Sequence, residues 1–134
     1  MSAESPPGLH VVDSSGWLEY LADADNAEFF AETIEKPEYL IVPTLSILEV
    51  FRWVLRERNE SEALQAAALM QQGRVADLDV AISLRAAGIG LRHKLPLADS
   101  VILATAQAYE ATLWTQDANF EGLPGVRYQP RPHV

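Results

Sequence analysis

The sequence predicts an α/β fold with a mostly parallel central sheet. Three observations lead there. Short apolar segments that read as strands alternate with helical stretches along the chain. One of those stretches, residues 98–110, is apolar almost all round and must be buried. The chain of 134 residues shows no repeat, low-complexity tract or linker that would divide it, so a single core is expected.

Residues 1–8 carry two prolines and little apolar content and are expected to be disordered or loosely attached, leaving residues 9–134 as one domain. Leu9-His10-Val11-Val12 reads as a short buried strand. Asp13-Ser14-Ser15-Gly16 has strong N-cap chemistry and leads into a helix over residues 17–21. A second amphipathic helix is predicted over residues 26–34. Lys36-Pro37 ends it, because proline disfavours helix in the residue before it. Tyr39-Leu40-Ile41-Val42 is the next strand. Pro43-Thr44 then opens a helix to about Arg58, with Thr44 as its cap. Residues 60–72 form an alanine-rich helix stopped by Gly73, and residues 74–78 a weaker strand. Asp79 caps a helix to about Arg92, and residues 93–97 connect it to the buried helix. Strands over residues 112–115 and 126–128 complete the pattern.

Composition narrows the chemistry. Nearly half the residues are apolar and 22% are charged, as in ordinary globular domains. No apolar run reaches the roughly 20 residues of a membrane span, and the N-terminus lacks the basic start of a secretory signal, so a cytoplasmic location is expected. The absence of cysteine excludes disulfides, thiolate metal sites and cysteine nucleophiles. His10, His93 and His133 lie far apart without metal-ligand spacing, so any bound metal requires oxygen ligands and points to Mg²⁺ or Mn²⁺. A formal charge of −9 argues against broad electrostatic capture of nucleic acid. Contact with a polyanion must be local.

Four segments each set one carboxylate among apolar neighbours: Val11-Val12-Asp13, Ile47-Leu48-Glu49-Val50-Phe51, Leu97-Ala98-Asp99-Ser100-Val101 and Leu113-Trp114-Thr115-Gln116-Asp117. Ionising an acid in such surroundings is costly unless a cation compensates it. Asp13 follows the first strand, Asp117 lies just past another, and Asp99 opens the buried helix. These are the places where open parallel sheets bind ligands. Glu49 sits a turn inside its helix, with Leu45 and Trp53 at i−4 and i+4. Each acid also has an ordinary explanation. Asp13 and Asp99 fit helix caps, Asp117 fits an Asx turn, and Glu49 fits pairing with Arg52 or Arg56. Four such coincidences at one sheet edge are less economical than one shared dication.

These residues resemble a known family. Val11-Val12-Asp13-Ser14-Ser15, Ser46-Ile47-Leu48-Glu49-Val50, Leu95-Pro96-Leu97-Ala98-Asp99-Ser100 and Leu113-Trp114-Thr115-Gln116-Asp117-Ala118-Asn119-Phe120 are similar, in order and separation, to the four acidic motifs of PIN domains. The closest similarity is to the VapC-type ribonuclease toxins of prokaryotic toxin–antitoxin pairs. The resemblance implies a three-layer α/β/α sandwich, an endoribonuclease dependent on Mg²⁺ or Mn²⁺, a homodimer, and a VapB-like antitoxin partner.

By motif position, Asp13, Glu49, Asp99 and Asp117 would form the catalytic metal site. Asp13 and Asp99 would be principal ligands, Glu49 would act through water, and Asp117 would complete one site or anchor a second. Ser14 and Thr115 would be polar neighbours in contact with the ligands or the substrate phosphate. Many members carry a further acid where this chain has Asn119; an amide offers an oxygen or orients a water but adds no charge, which weakens the case for a second ion. Arg52, Arg56, Arg58, Arg85, Arg92, His93 and Lys94 are the cations available for RNA phosphates. Trp17, Trp53 and Trp114 fit core packing better than base stacking. The alternative function is a PIN-like module without turnover that binds RNA or protein.

Overall fold

In the computed structural model, residues 8–132 are described; residues 1–7, with most of the expected loose N-terminal segment, and His133 lie outside them. Among the described residues five short strands, β1 (His10–Val12), β2 (Ile41–Pro43), β3 (Arg74–Ala76), β4 (Thr112–Thr115) and β5 (Val126–Tyr128), alternate with six α-helices. The helices are α1 (Ser14–Leu21), α2 (Ala27–Ile34), α3 (Thr44–Glu57), α4 (Glu60–Met70), α5 (Val80–His93) and α6 (Leu97–Ala108). All strand pairings are parallel: β1 with β4, β4 with β5, and β2 with β3. A single parallel bridge, His10 to Leu40, joins the two ladders, so the strands run in the order β3-β2-β1-β4-β5.

Alternation of side chains along each strand divides the core into two layers. Val11, Ile41 and Leu113 face α5 and α6, packing with Ile82, Ala86, Ile89 and the run from Val101 to Ala104. Val12, Val42 and Trp114 face the other way, onto Trp17, Phe30, Val50, Val54, Ala63 and Met70 from α1 to α4. The sheet therefore lies between two helical layers, as the resemblance implied. Trp17 and Trp114 are spent in this core, whereas Trp53 remains 40% exposed.

Several boundaries differ from the sequence expectation for identifiable reasons. The second strand begins at Ile41, because Pro37–Tyr39 closes a 3-10 turn whose last amide, from Leu40, bonds back to Pro37. Thr44 is not a cap. Its hydroxyl lies 2.9 Å from both the Ala76 carbonyl and an Asp77 carboxylate oxygen, so it ties α3 to the end of β3. Asp99 is not a cap either: Pro96 holds that position and Asp99 sits inside the first turn of α6. Gly90 brings the two outer helices together, since a Cβ there would lie 2.5 Å from Ser100 Oγ. That contact seats the start of α6, and hence Asp99, against α5.

Candidate metal centre

The chain moves outward from β1 to β2 and β3, then returns to the opposite side of β1 as β4. This reversal at β1 and β4 is the topological switch point, where the carboxyl ends of the strands open a crevice. A cleft of about 440 Å³ lies there, and Asp13, Glu49, Asp99 and Asp117 all line it. Leu45 and Trp53, on either side of Glu49 along α3, form part of its walls, with Leu18 and Ile102.

Each acid is held by a neutral donor. Asp13 Oδ1 accepts the Gly16 amide at 2.8 Å, and Oδ2 accepts the Thr115 hydroxyl at 2.5 Å. Asp13 is thus a helix cap as well as a wall of the cleft. Glu49 Oε1 accepts the Ser14 hydroxyl at 2.6 Å across 35 residues. Among the described residues, neither Arg52 nor Arg56 forms an ion pair with it; Arg56 pairs with Glu57 instead. Asp99 Oδ2 accepts the Asn119 amide at 3.1 Å, while Asp117 Oδ1 accepts the Asn119 backbone N–H at 2.9 Å. The side chains of Ser14, Thr115 and Asn119 therefore orient Glu49, Asp13 and Asp99, and the Asn119 backbone orients Asp117.

The electrostatics record the crowding. Burial pushes the Asp13 carboxyl up to about 6 from 3.8; the Thr115 and Gly16 hydrogen bonds oppose that rise, and the charges of Asp117 and Asp99 add to it. Asp99 is also raised, first by burial and then by Asp117 and Glu49, against the Asn119 bond. Asp13 and Asp99 thus each feel other carboxylates of the cleft.

The donor set fits a hard dication in kind: four carboxylates, with no sulfur and no imidazole among the lining residues. Ser15, on the same cleft, keeps a buried hydroxyl without a partner among the described residues. Yet among those residues no three acidic or imidazole groups converge into a ready-made cage.

Of the candidate cations, Arg52 and Arg56 line the cleft. Arg58 pairs with Glu62 and lines a separate groove, and Arg85, Arg92, His93 and Lys94 are absent from the cleft wall. The sequence reading passed over Gln116. It is 4% exposed and accepts from Asn26 Nδ2 at 3.0 Å, while its own amide donates to Glu19 Oε1 at 3.1 Å. This buried network fixes the segment carrying Asp117 to α1 and to the turn before α2. The available signal was an amide placed between Thr115 and Asp117 at the end of a buried strand.

The family model for the PIN domain matches residues 10–126. The chain belongs to the PIN domain family. No curated protein matches the sequence. Among solved structures, this PIN domain is similar to a toxin–antitoxin complex from Klebsiella pneumoniae, with a TM-score of 0.75 and 23% identity over 88% of this chain and 95% of that one. It is also similar to VapC20 of Mycobacterium tuberculosis, a sarcin-ricin loop cleaving toxin, with a TM-score of 0.70 and 17% identity over 86% and 95%. A third is VapBC2 from Rickettsia felis bound to a fragment of its promoter DNA, at 0.71 and 12% over 91% and 98%. These likenesses show the fold. No helix among the described residues is long and apolar enough to cross a membrane.

Proposed function

We propose that this PIN domain is a metal-dependent endoribonuclease and the toxin of a toxin–antitoxin pair, with residues 9–134 acting as one nuclease domain. The observation that carries the reading is the convergence of Asp13, Glu49, Asp99 and Asp117, from four distant segments, on one cleft at the switch point of the sheet. A scaffold has no use for four acids on one cleft, two of which, Asp13 and Asp99, are raised by burial and by neighbouring carboxylates. The structural neighbours support the toxin assignment, since one is named as a sarcin-ricin loop cleaving toxin, another as a toxin–antitoxin complex and a third as a VapBC pair.

Asp13, Asp99 and Asp117 would hold Mg²⁺ or Mn²⁺, with Glu49 beside them. When bound, the ion would supply an activated water and neutralise charge on the phosphorane-like transition state. Thr115 and the Gly16 amide keep Asp13 facing the cleft, and Asn119 does the same for Asp99 and Asp117. Ser14 occupies one oxygen of Glu49, which leaves the other to orient the attacking water. Arg52 and Arg56 bind flanking phosphates. With these two cations on the wall among the described residues and a net charge of −9, the substrate is a structured RNA engaged at few phosphates.

The antitoxin partner fits the second groove, about 570 Å³ between α1, α3 and α4, lined by Leu18, Leu21, Trp53, Val54 and Leu69. Met70, the last residue of α4, is fully buried in the core and takes no part in this groove. A homodimer belongs to the same reading, as does action in the cytoplasm.

The test is cleavage of total RNA and of structured RNA fragments by the full chain with Mg²⁺ or Mn²⁺, with and without chelator. Wild-type cleavage that disappears in Asp99→Asn, together with co-purification of the product of the adjacent reading frame, supports the proposal. A folded wild type that cleaves nothing and whose Tm ignores added metal overturns it. RNA binding retained equally by wild type and variant would favour the module without turnover.

A further inference from the structure

Trp53 departs from the other two tryptophans. Trp17 and Trp114 are 1% and 0% exposed in the core, whereas Trp53 is 40% exposed and belongs to neither core layer. A lone exposed apolar side chain is ordinary. Trp53, however, lines the same cleft as the four acids, and its place on α3 gives it particular neighbours. Glu49, Arg52, Trp53 and Arg56 stand at i, i+3, i+4 and i+7, so one face of the helix carries all four, and all four line the cleft. Arg52 and Arg56 are one turn apart, about 6 Å along the axis, with Trp53 between them in sequence. A carboxylate is thus followed by a cation, an aromatic ring and a second cation.

That order complements a nucleotide chain, in which anionic phosphates alternate with flat bases. Two arginines on a protein of net charge −9 are a weak electrostatic hold on a polyanion, so affinity must also come from contacts that do not depend on charge. A base stacked on an exposed indole is such a contact. Nothing within the chain has taken the ring. Among the described residues the cation–π contacts are Arg74 with Tyr109 and Arg127 with Trp114, and the ring pairs join His10, Phe29, Phe30 and Trp114. The base must be unpaired and splayed out, because in a duplex its faces are covered by its neighbours. Trp53 also borders the groove between α1, α3 and α4, which makes a protein segment the competing occupant. The arginines favour the base: Arg52 and Arg56 line the cleft and are absent from the groove wall.

We propose that Trp53 is a base-stacking residue of the cleft, receiving an unpaired nucleobase of the RNA while Arg52 and Arg56 hold the phosphates beside it. The inference deepens the function proposed above and rests on it for RNA being the ligand. Its readouts are binding and fluorescence, so cleavage without stacking defeats this inference alone, and stacking without cleavage defeats the nuclease alone.

The test uses the full chain carrying Asp99→Asn, with Mg²⁺ present, so that binding is read without turnover. The probe is an RNA hairpin with a loop of about eight randomised nucleotides, and the control is the same stem closed by an abasic loop with the same phosphates. With Trp17 and Trp114 buried, the acrylamide-accessible emission reports Trp53, and the randomised hairpin should shield it. Trp53→Leu, which keeps apolar bulk without a π face, should weaken binding of that hairpin about 10-fold, and Trp53→Phe should recover most of the loss. The abasic hairpin should bind all three proteins equally and more weakly. Circular dichroism should not change, since the side chain lies outside the core. A randomised hairpin that does not bind or leaves the emission unshielded would overturn the proposal, as would equal losses in the leucine and phenylalanine variants. A leucine variant that binds RNA like its parent but no longer retains the product of the adjacent reading frame would assign Trp53 to the groove instead.

Discussion

Replacing Asp13 by asparagine should stabilise the metal-free protein while removing part of its metal site. The Asp13 carboxyl titrates near 6 in the fold against 3.8 as an ordinary aspartate. A folded-state pKa above the unfolded one means that the fold binds this proton more tightly. The associated stability is fully present below about 3.8 and is lost as pH rises through 6. At about 1.36 kcal/mol for each pH unit, the loss by neutral pH is about 3 kcal/mol. Asparagine carries no charge to desolvate. It can still accept from the Gly16 amide, and its own amide can donate to the Thr115 oxygen. Allowing for the weaker neutral hydrogen bonds, a net gain of about 1–3 kcal/mol at pH 7 is expected.

For 134 residues the unfolding entropy is about 0.28 kcal/mol/K, so this gain corresponds to a rise of about 4–10 °C in Tm. Thermal unfolding in chelator from pH 3.5 to 8 reads it directly. The two proteins should nearly coincide at the acid end and diverge through pH 4 to 6, with Asp13→Asn the more stable above. Added Mg²⁺ should then raise the wild-type Tm and move the variant less. An asparagine variant less stable than wild type at pH 7, with a difference that does not change with pH, would refute the reasoning.

Four further predictions concern other parts of the site. Asp99→Asn should lower RNA cleavage by at least about 100-fold in a fluorogenic-RNA assay and abolish the Mg²⁺-induced rise in Tm. Gln116→Leu leaves Asn26 and Glu19 without their buried partner and should cost about 1–3 kcal/mol in urea unfolding. Gly90→Ala forces its Cβ onto Ser100 Oγ and should cost about 1–3 kcal/mol, part of which Gly90→Ala with Ser100→Ala should restore. Arg52→Ala should raise KM with little change in kcat and make the salt dependence of RNA binding shallower, by about one in the log–log slope.

The fold was legible in the sequence where local chemistry decides it. Asp79 accepting the Ile82 amide, the strand at residues 112–115 and the buried α6 follow from capping, alternation and apolar content. The four acids were legible because each interrupts an apolar segment. What stayed hidden depends on partners distant in sequence. Nothing near Glu49 announces that Ser14, rather than a neighbouring arginine, is its partner. Nothing near Gln116 reveals an asparagine 90 residues away. The cations show the same limit. Arg52 and Arg92 look alike as residue types, and only the placement of α3 along the cleft separates them.

The tethers explain why the acids are both crowded and unassembled. Thr115, Ser14 and Asn119 orient carboxylates without neutralising them. A lysine or arginine in any of those places would lower the proton affinity of its acid and remove the reason for a dication to bind. Hydroxyls and amides fix direction but leave the negative charge in place, so a multivalent cation bound there, as proposed, would relieve the repulsion among these carboxylates. Asp13 and Asp99 are raised first by burial, and the neighbouring carboxylates add to a rise that the neutral tethers oppose without cancelling. Replacing Ser14 with lysine tests the part played by the retained charge. The new ammonium should pair with Glu49, raise the Tm in chelator, and weaken Mg²⁺ binding measured by calorimetry. Unchanged Mg²⁺ affinity would show that orientation alone, and not retained charge, is what the neutral tethers provide.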